Sequence, residues 1–216
     1  SELVEVSTDN GDGTFSYTVP LIEGLQWSDG EAIDANDMVF TYQTVRDLGM
    51  LGAWTYNYPL ATENEDGTLS QGLTNIEAID DYTVKITFSF DPGLSIWQYG
   101  VGTASIVAEH YWSQYTADRE TLLAAPGDGA PVAGAFEYGT LESGAFYVWE
   151  YDADTMYFGG DVTVYGNGGV SYNWDNGVAP KISYEFGDLS GDSISWTDGP
   201  YVGTVEFSLY GDQDAA

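Results

Sequence analysis

The chain has no cysteine, one histidine and only four lysine or arginine residues among 216. Without cysteine, neither a disulfide framework nor a thiolate zinc site can form. One histidine rules out a histidine-rich metal site and leaves His110 as the sole candidate base for a catalytic triad. Its setting, Glu109-His110-Tyr111-Trp112, predicts a packed structural imidazole instead. The lysines are Lys85 and Lys181, and neither lies in a phosphate-cradling glycine loop. No cofactor and no metal are expected. No apolar run approaches the roughly 18–20 residues that a membrane-spanning helix needs.

Acid is what the chain has in excess. Asp and Glu number 35, for a net charge of −31. Such a surface repels phosphate backbones and anionic headgroups, which excludes nucleic acid as a partner and disfavours a lipid surface. It also repels itself, a cost that salt relieves as the Debye length falls to roughly 3 Å at 1 M. The composition therefore predicts a halophilic protein. An EF-hand is excluded: Asp12-Gly13 would frame a loop from Thr8 to Val19, and Asp66-Gly67 one from Thr62 to Leu73, both with the wrong end residues. Aromatic residues at 15% and hydrophobic residues at 43% supply a core and exclude a disordered acidic tail.

Along the chain, residues 14–19 alternate as a strand after the turn cluster Asp9 to Gly13. Asp34 reads as a helix N-cap with Asp37 in the first turn, followed by Met38, Val39, Tyr42, Val45 and Leu48 at helical spacing, and Gly49 can close the helix. Residues 50–75 read as loop. Thr83 to Phe90 alternates, with Val84, Ile86, Phe88 and Phe90 on one face. A helix is expected over Ile106 to Tyr115, and a shorter one capped by Thr116 that stops at Pro126-Gly127. Beyond the Gly/Ala/Pro stretch at 127–135 only strands and turns are read: Ala145 to Tyr151, Val162 to Tyr165, Ile182 to Phe186 and Thr204 to Tyr210.

The segment EVSTDNGDGTFSYTVPLIEGLQWSDGEAIDANDMVFTY, Glu5 to Tyr42, closely resembles the signature of the family 5 extracellular solute-binding proteins, the peptide, nickel and oligosaccharide receptors of ABC importers. Leu21, Gly24, Trp27, Asp29, Gly30, Ala35, Asp37, Val39 and Tyr42 carry the likeness. Ile76 to Val84, Ile106 to Trp112, Pro131 to Gly134 and Gly199 to Phe207 resemble later family segments in the family's order. Family basic positions are Ile22, Gln26 and Glu109 here, which fits a halophilic, archaeal branch. Residues 159–198, rich in Gly, Tyr and Trp, look longer than the family's usual connection.

The resemblance implies an α/β, β-rich chain of type II periplasmic-binding-protein architecture. Family members are considerably longer, so the sequence is expected to be most of one lobe of a two-lobed protein. Its expected parts are a strand/helix subdomain at 1–126, carrying the G-x-x-W-S-D-G motif, and a β-rich part at 127–216 leading to the hinge. The implied function is non-enzymatic. A peptide or similar small solute is captured outside the cell and delivered to the membrane permease, by a monomer that the full-length protein anchors to the membrane through lipid. Trp27, Asp29, Gly30 and Asp37 read as a structural motif. Trp54, Tyr56, Tyr99 and Trp174 fall in predicted loops, where aromatic faces can meet a ligand. Two other readings stay open: a secreted carbohydrate-binding β module, and a glycosidase fragment working through an acid pair.

Overall fold

A computed structural model describes residues 7–50, 61–92, 100–142, 144–152, 159–175, 181–199 and 201–210. The chain divides into two compact units, residues 1–22 with 34–125 and residues 23–33 with 126–216. Trp54, Tyr56 and Tyr99 lie outside the described residues.

In the first unit, β1 (Thr8–Asp9), β2 (Phe15–Pro20), β3 (Leu73–Asp80) and β4 (Thr83–Phe88) form an antiparallel sheet in the order β1-β2-β4-β3. Strand β4 is central because its alternation is cleanest: Val84, Ile86 and Phe88 are fully buried on one face. It ends at Phe88, two residues earlier than the alternation suggests, where the Ser89 hydroxyl turns back to bond the backbone carbonyl of Ser70. Strand β3 begins at Leu73, inside the stretch read as loop. A register shift between Leu73 and Asn75 inserts one extra residue, so Leu73 and Ile76 meet Phe88 and Ile86 on the same face despite their odd spacing. A bulge of this kind hides a strand from any period-two reading.

Helix α1 (Ala35–Asp47) covers that face with Ala35, Met38 and Tyr42. Its start is held by a reciprocal cap. Asp34 accepts the backbone N–H groups of Asn36 and Asp37, and the Asp37 carboxylate accepts that of Asp34. Its end is a Schellman turn: Met50 N–H reaches Val45 O, Gly49 N–H reaches Arg46 O, and Gly49 adopts φ 55°.

Helix α2 occupies only Glu109–Trp112 and passes into a 3₁₀ turn over Ser113–Tyr115, so the longer helix expected from Ile106 does not form. Ala108 is extended, with φ −67° and ψ 114°, so the helix starts only at Glu109. The Thr41 hydroxyl oxygen accepts the Val107 N–H at 3.0 Å. Helix α3 (Arg119–Leu123) is capped by Asp118, which accepts Thr121 N–H at 2.7 Å; Thr116, the expected cap, bonds back to Ser113 O instead.

The second unit holds two antiparallel sheets. The first, in the order β11-β6-β5, joins Phe136–Glu142 (β5), Phe146–Tyr151 (β6) and Thr204–Ser208 (β11). The second, in the order β10-β7-β8-β9, joins Asp161–Tyr165 (β7), Val170–Trp174 (β8), Ile182–Phe186 (β9) and Ser193–Thr197 (β10). The long Gly/Tyr/Trp-rich stretch is thus a sheet. Tight approaches shape it: a side chain on Gly169 would strike the Asp188 backbone, and one on Gly160 would strike the Tyr172 ring. Residues 23–33 fold with this unit because Ser28 N–H donates to Val132 O and Val132 N–H donates to Ser28 Oγ, at 2.8 and 3.1 Å.

Candidate functional site

The motif turn is a small closed hairpin. Gln26 pairs with Ala32, Trp27 N–H reaches Glu31 O, and Gly30 N–H returns to Trp27 O. Gly30 has φ 89°, a backbone that other residues adopt only under strain, and the Asp29 carboxylate accepts Glu31 N–H. Trp27 is 6% exposed. These bonds close the turn on itself.

Asp37 does more than cap its own helix. It is 4% exposed, and its second oxygen accepts the backbone N–H of Glu109 at 2.8 Å. Ala108 precedes α2 with no side-chain acceptor of its own, so Asp37 supplies the missing cap from 72 residues away. Thr41, one turn along α1, donates to Asp37 O and accepts from Val107 N–H. The two sequence motifs at 35–42 and 106–112 are therefore two sides of one joint. Burial, and then the charges of Asp37 and Asp34, push the Glu109 carboxyl above its usual range.

His110 is exposed on α2, which corrects the packed imidazole expected from its neighbours. Ala108 takes the buried position in this segment, and the short helix turns residue 110 outward. Beside it, Tyr111, Trp112 and Tyr115 form an aromatic cluster with ring centroids 5.2–6.2 Å apart. The sequence signal for it was a one- and four-residue spacing that a longer helix would also have produced.

Trp174 closes strand β8 and is 2% exposed, so the loop expected there is a strand end and its ring belongs to the interior. Its neighbour Tyr172 stacks on Tyr184, centroids 5.2 Å apart, and bonds Asp198 through its hydroxyl. Burial, and then the Asp198 charge, raise the Tyr172 pKa. Asp198 also accepts the N–H groups of Gly159 and Gly160, at 3.0 and 2.6 Å. Among the described residues no group of three or more acidic or histidine side chains is placed to hold a metal ion. No helix among them is long and apolar enough to cross a membrane.

Comparison with known proteins places this geometry in a family. Residues 2–165 match the model for bacterial extracellular solute-binding proteins, family 5, and the chain belongs to that family. No curated protein matches. Among solved structures, the chain is similar to the ABC transporter substrate-binding protein CtaP of Listeria monocytogenes, with 19% identity, a TM-score of 0.51, and coverage of 99% of this chain and 32% of that one. It is also similar to the periplasmic binding protein AgaA of A. tumefaciens, solved with agropinic acid, with 15% identity, a TM-score of 0.52, and coverage of 97% and 30%. These likenesses show the fold: mixed α/β, with sheets and few helices, spanning about a third of the neighbours' length. The family's members are extracellular solute-binding proteins.

Proposed function

We propose that the chain is most of one lobe of the substrate-binding component of an ABC importer. In this reading the whole protein captures an oligopeptide or similar small solute between two lobes outside the cell and hands it to a membrane permease. It does so without catalysis, metal or cofactor, and it is held at the membrane by lipid. The observation that carries the reading is the family match over residues 2–165. The joint at Asp37 supports it, because two family-like motifs meet there, the Asp37 carboxylate of one capping the backbone of the other. Trp54, Tyr56 and Tyr99 are the aromatic candidates for solute contact; Trp174 serves packing.

A carbohydrate-binding module is the second reading, favoured by the partly exposed Tyr138, Trp149 and Phe207 on one face of the β11-β6-β5 sheet. Titration calorimetry in molar KCl separates the two. The 216-residue chain is expected to bind neither peptides nor oligosaccharides tightly, and the full-length product of its gene to bind peptides. Tight oligosaccharide binding by the 216-residue chain, lost in Trp149→Ala, would replace the importer reading with the module.

A further inference from the structure

Asp-Gly pairs occur at Asp12, Asp29, Asp66, Asp128 and Asp198. Such a pair is chemically labile, because glycine has no side chain to keep its nitrogen away from the preceding carboxyl. The structure ties down four of them. Asp12 Oδ1 accepts the Thr14 N–H and hydroxyl at 2.9 and 2.6 Å, and Asp66 Oδ1 accepts those of Thr68 at 3.0 and 2.6 Å. Asp29 accepts the Glu31 N–H, and the Gly30 N–H is held by Trp27 O. In these three pairs the carboxylate is anchored on the residue beyond the glycine, and closing a ring onto the glycine nitrogen would break that bond. Asp198 accepts the N–H groups of Gly159 and Gly160 and the Tyr172 hydroxyl.

Asp128 is different. It is exposed, and among the described residues its carboxylate accepts no hydrogen bond. Its turn is closed by a single bond, Ala130 N–H to Gly127 O at 3.2 Å. A side chain added to Gly127 or Gly129 would meet nothing within 4 Å, so this segment has room to turn. The Thr14 and Thr68 hydroxyls, and then their N–H groups, also hold the Asp12 and Asp66 carboxyls below their usual range, whereas ring closure needs a protonated carboxyl.

We infer that Asp128-Gly129 is the site at which this chain isomerises its own backbone. The Gly129 nitrogen attacks Asp128 Cγ, an N–Cγ bond forms and the Cγ–OH bond breaks. The hydroxyl leaves as water with the proton of that N–H, and a succinimide remains. Water then opens the ring at either carbonyl. One opening restores aspartate, and the other carries the main chain through the β-carboxyl, which lengthens it by a methylene. No oxidant or reductant takes part. The lengthened link lies just after the chain passes from the first unit to the second, ahead of Val132 and its bonds with Ser28.

The 216-residue chain tests this when it is held in heavy-oxygen water at mildly acidic to neutral pH, folded in molar KCl and, in parallel, unfolded in urea. Circular dichroism confirms each state. Every ring opening places one heavy oxygen in the chain, and peptide mapping with fragmentation locates it to a residue. In the folded chain, label and a separately eluting isoaspartyl form are expected to accumulate at Asp128 severalfold faster than at Asp12, Asp29, Asp66 or Asp198. In urea the five rates should draw together. Asp128→Glu, whose longer side chain would have to close a larger ring, should lose the label at that position with an unchanged dichroism spectrum. Equal labelling at all five in the folded chain, or faster labelling at any of the four held carboxylates, would overturn the inference. So would an equal lead for Asp128 in urea, which would trace it to neighbouring sequence and not to the missing bonds.

Discussion

The two units use the same acid-rich, aromatic-rich alphabet and reach opposite results. In the first, a helix lies across one sheet and closes a core around Tyr42, Ile76, Val84, Ile86 and Phe88. In the second, among the described residues, only Trp27, Ala135 and Trp174 are buried apolar side chains, while both sheets leave aromatic and aliphatic faces exposed. The difference is not hydrophobic content but the presence of a covering layer. A sheet with one apolar face needs a second layer to bury it. Helix α1 provides that layer in the first unit, and no described helix belongs to the second.

The broadest way to break this contrast is to remove salt. With −31 charges and so few basic partners, both units should unfold below a few tenths molar KCl, where the Debye length exceeds roughly 5 Å, and should refold in molar KCl. Circular dichroism that stays constant to low salt would show that the charge is tolerated without screening. The next test compares one residue type in the two settings. Phe88→Ala, in the closed core, should cost about 3–5 kcal/mol in denaturant unfolding. Phe186→Ala, measured in dilute protein, should stay within about 0.5 kcal/mol. Equal losses would mean that the second unit has a core as closed as the first.

Asp37→Ala sharpens the comparison by removing the joint without touching the apolar layer. It strips the reciprocal cap and leaves the Glu109 N–H without its acceptor, which should cost about 2 kcal/mol. Asp37→Asn should recover part of the loss, since an amide oxygen still accepts. The smallest effect belongs to Glu109. Its carboxyl has a raised folded pKa, so the folded state binds more protons than the unfolded one between the usual glutamate value and the raised one. Stability from this group is therefore present at low pH and falls as pH rises through that window. Glu109→Gln should raise the melting temperature at neutral pH, and the gain should disappear as the pH drops below the usual glutamate pKa. A gain that persists in acid would assign the effect to packing.

What the sequence disclosed followed from how local each determinant is. Helix α1 was readable at both ends because Asp34, Asp37 and Gly49 act within a turn of the residues they cap. Strand β4 was readable because its two faces alternate without a bulge. Its partner β3 was half hidden, since the extra residue between Leu73 and Asn75 breaks the period. Strands β5, β8 and β10 were missed: a register shift between Tyr138 and Leu141 interrupts β5, and glycine or asparagine residues adjoin the other two. The over-long helix at 106–115 failed for a different reason, because the residue that caps the shorter helix, Asp37, sits on another element. The turn at Asp29 and Gly30 could be read locally. The burial of Trp174 could not, because it depends on where neighbouring strands run.

The joint at Asp37 also sets an order of events while the chain is being made. Helix α1 carries its own cap and can form as soon as residues 34–50 emerge, but the second oxygen of Asp37 waits for Glu109, 72 residues later. At a synthesis rate of about 5–20 residues per second, that interval lasts several seconds. Through it the helix must keep one face wet, with a carboxylate solvated by water that the finished unit excludes. The arrival of residues 106–109 is then the step that takes this carboxylate out of water, after the sheet residues 73–88 that meet the helix's apolar face have been made.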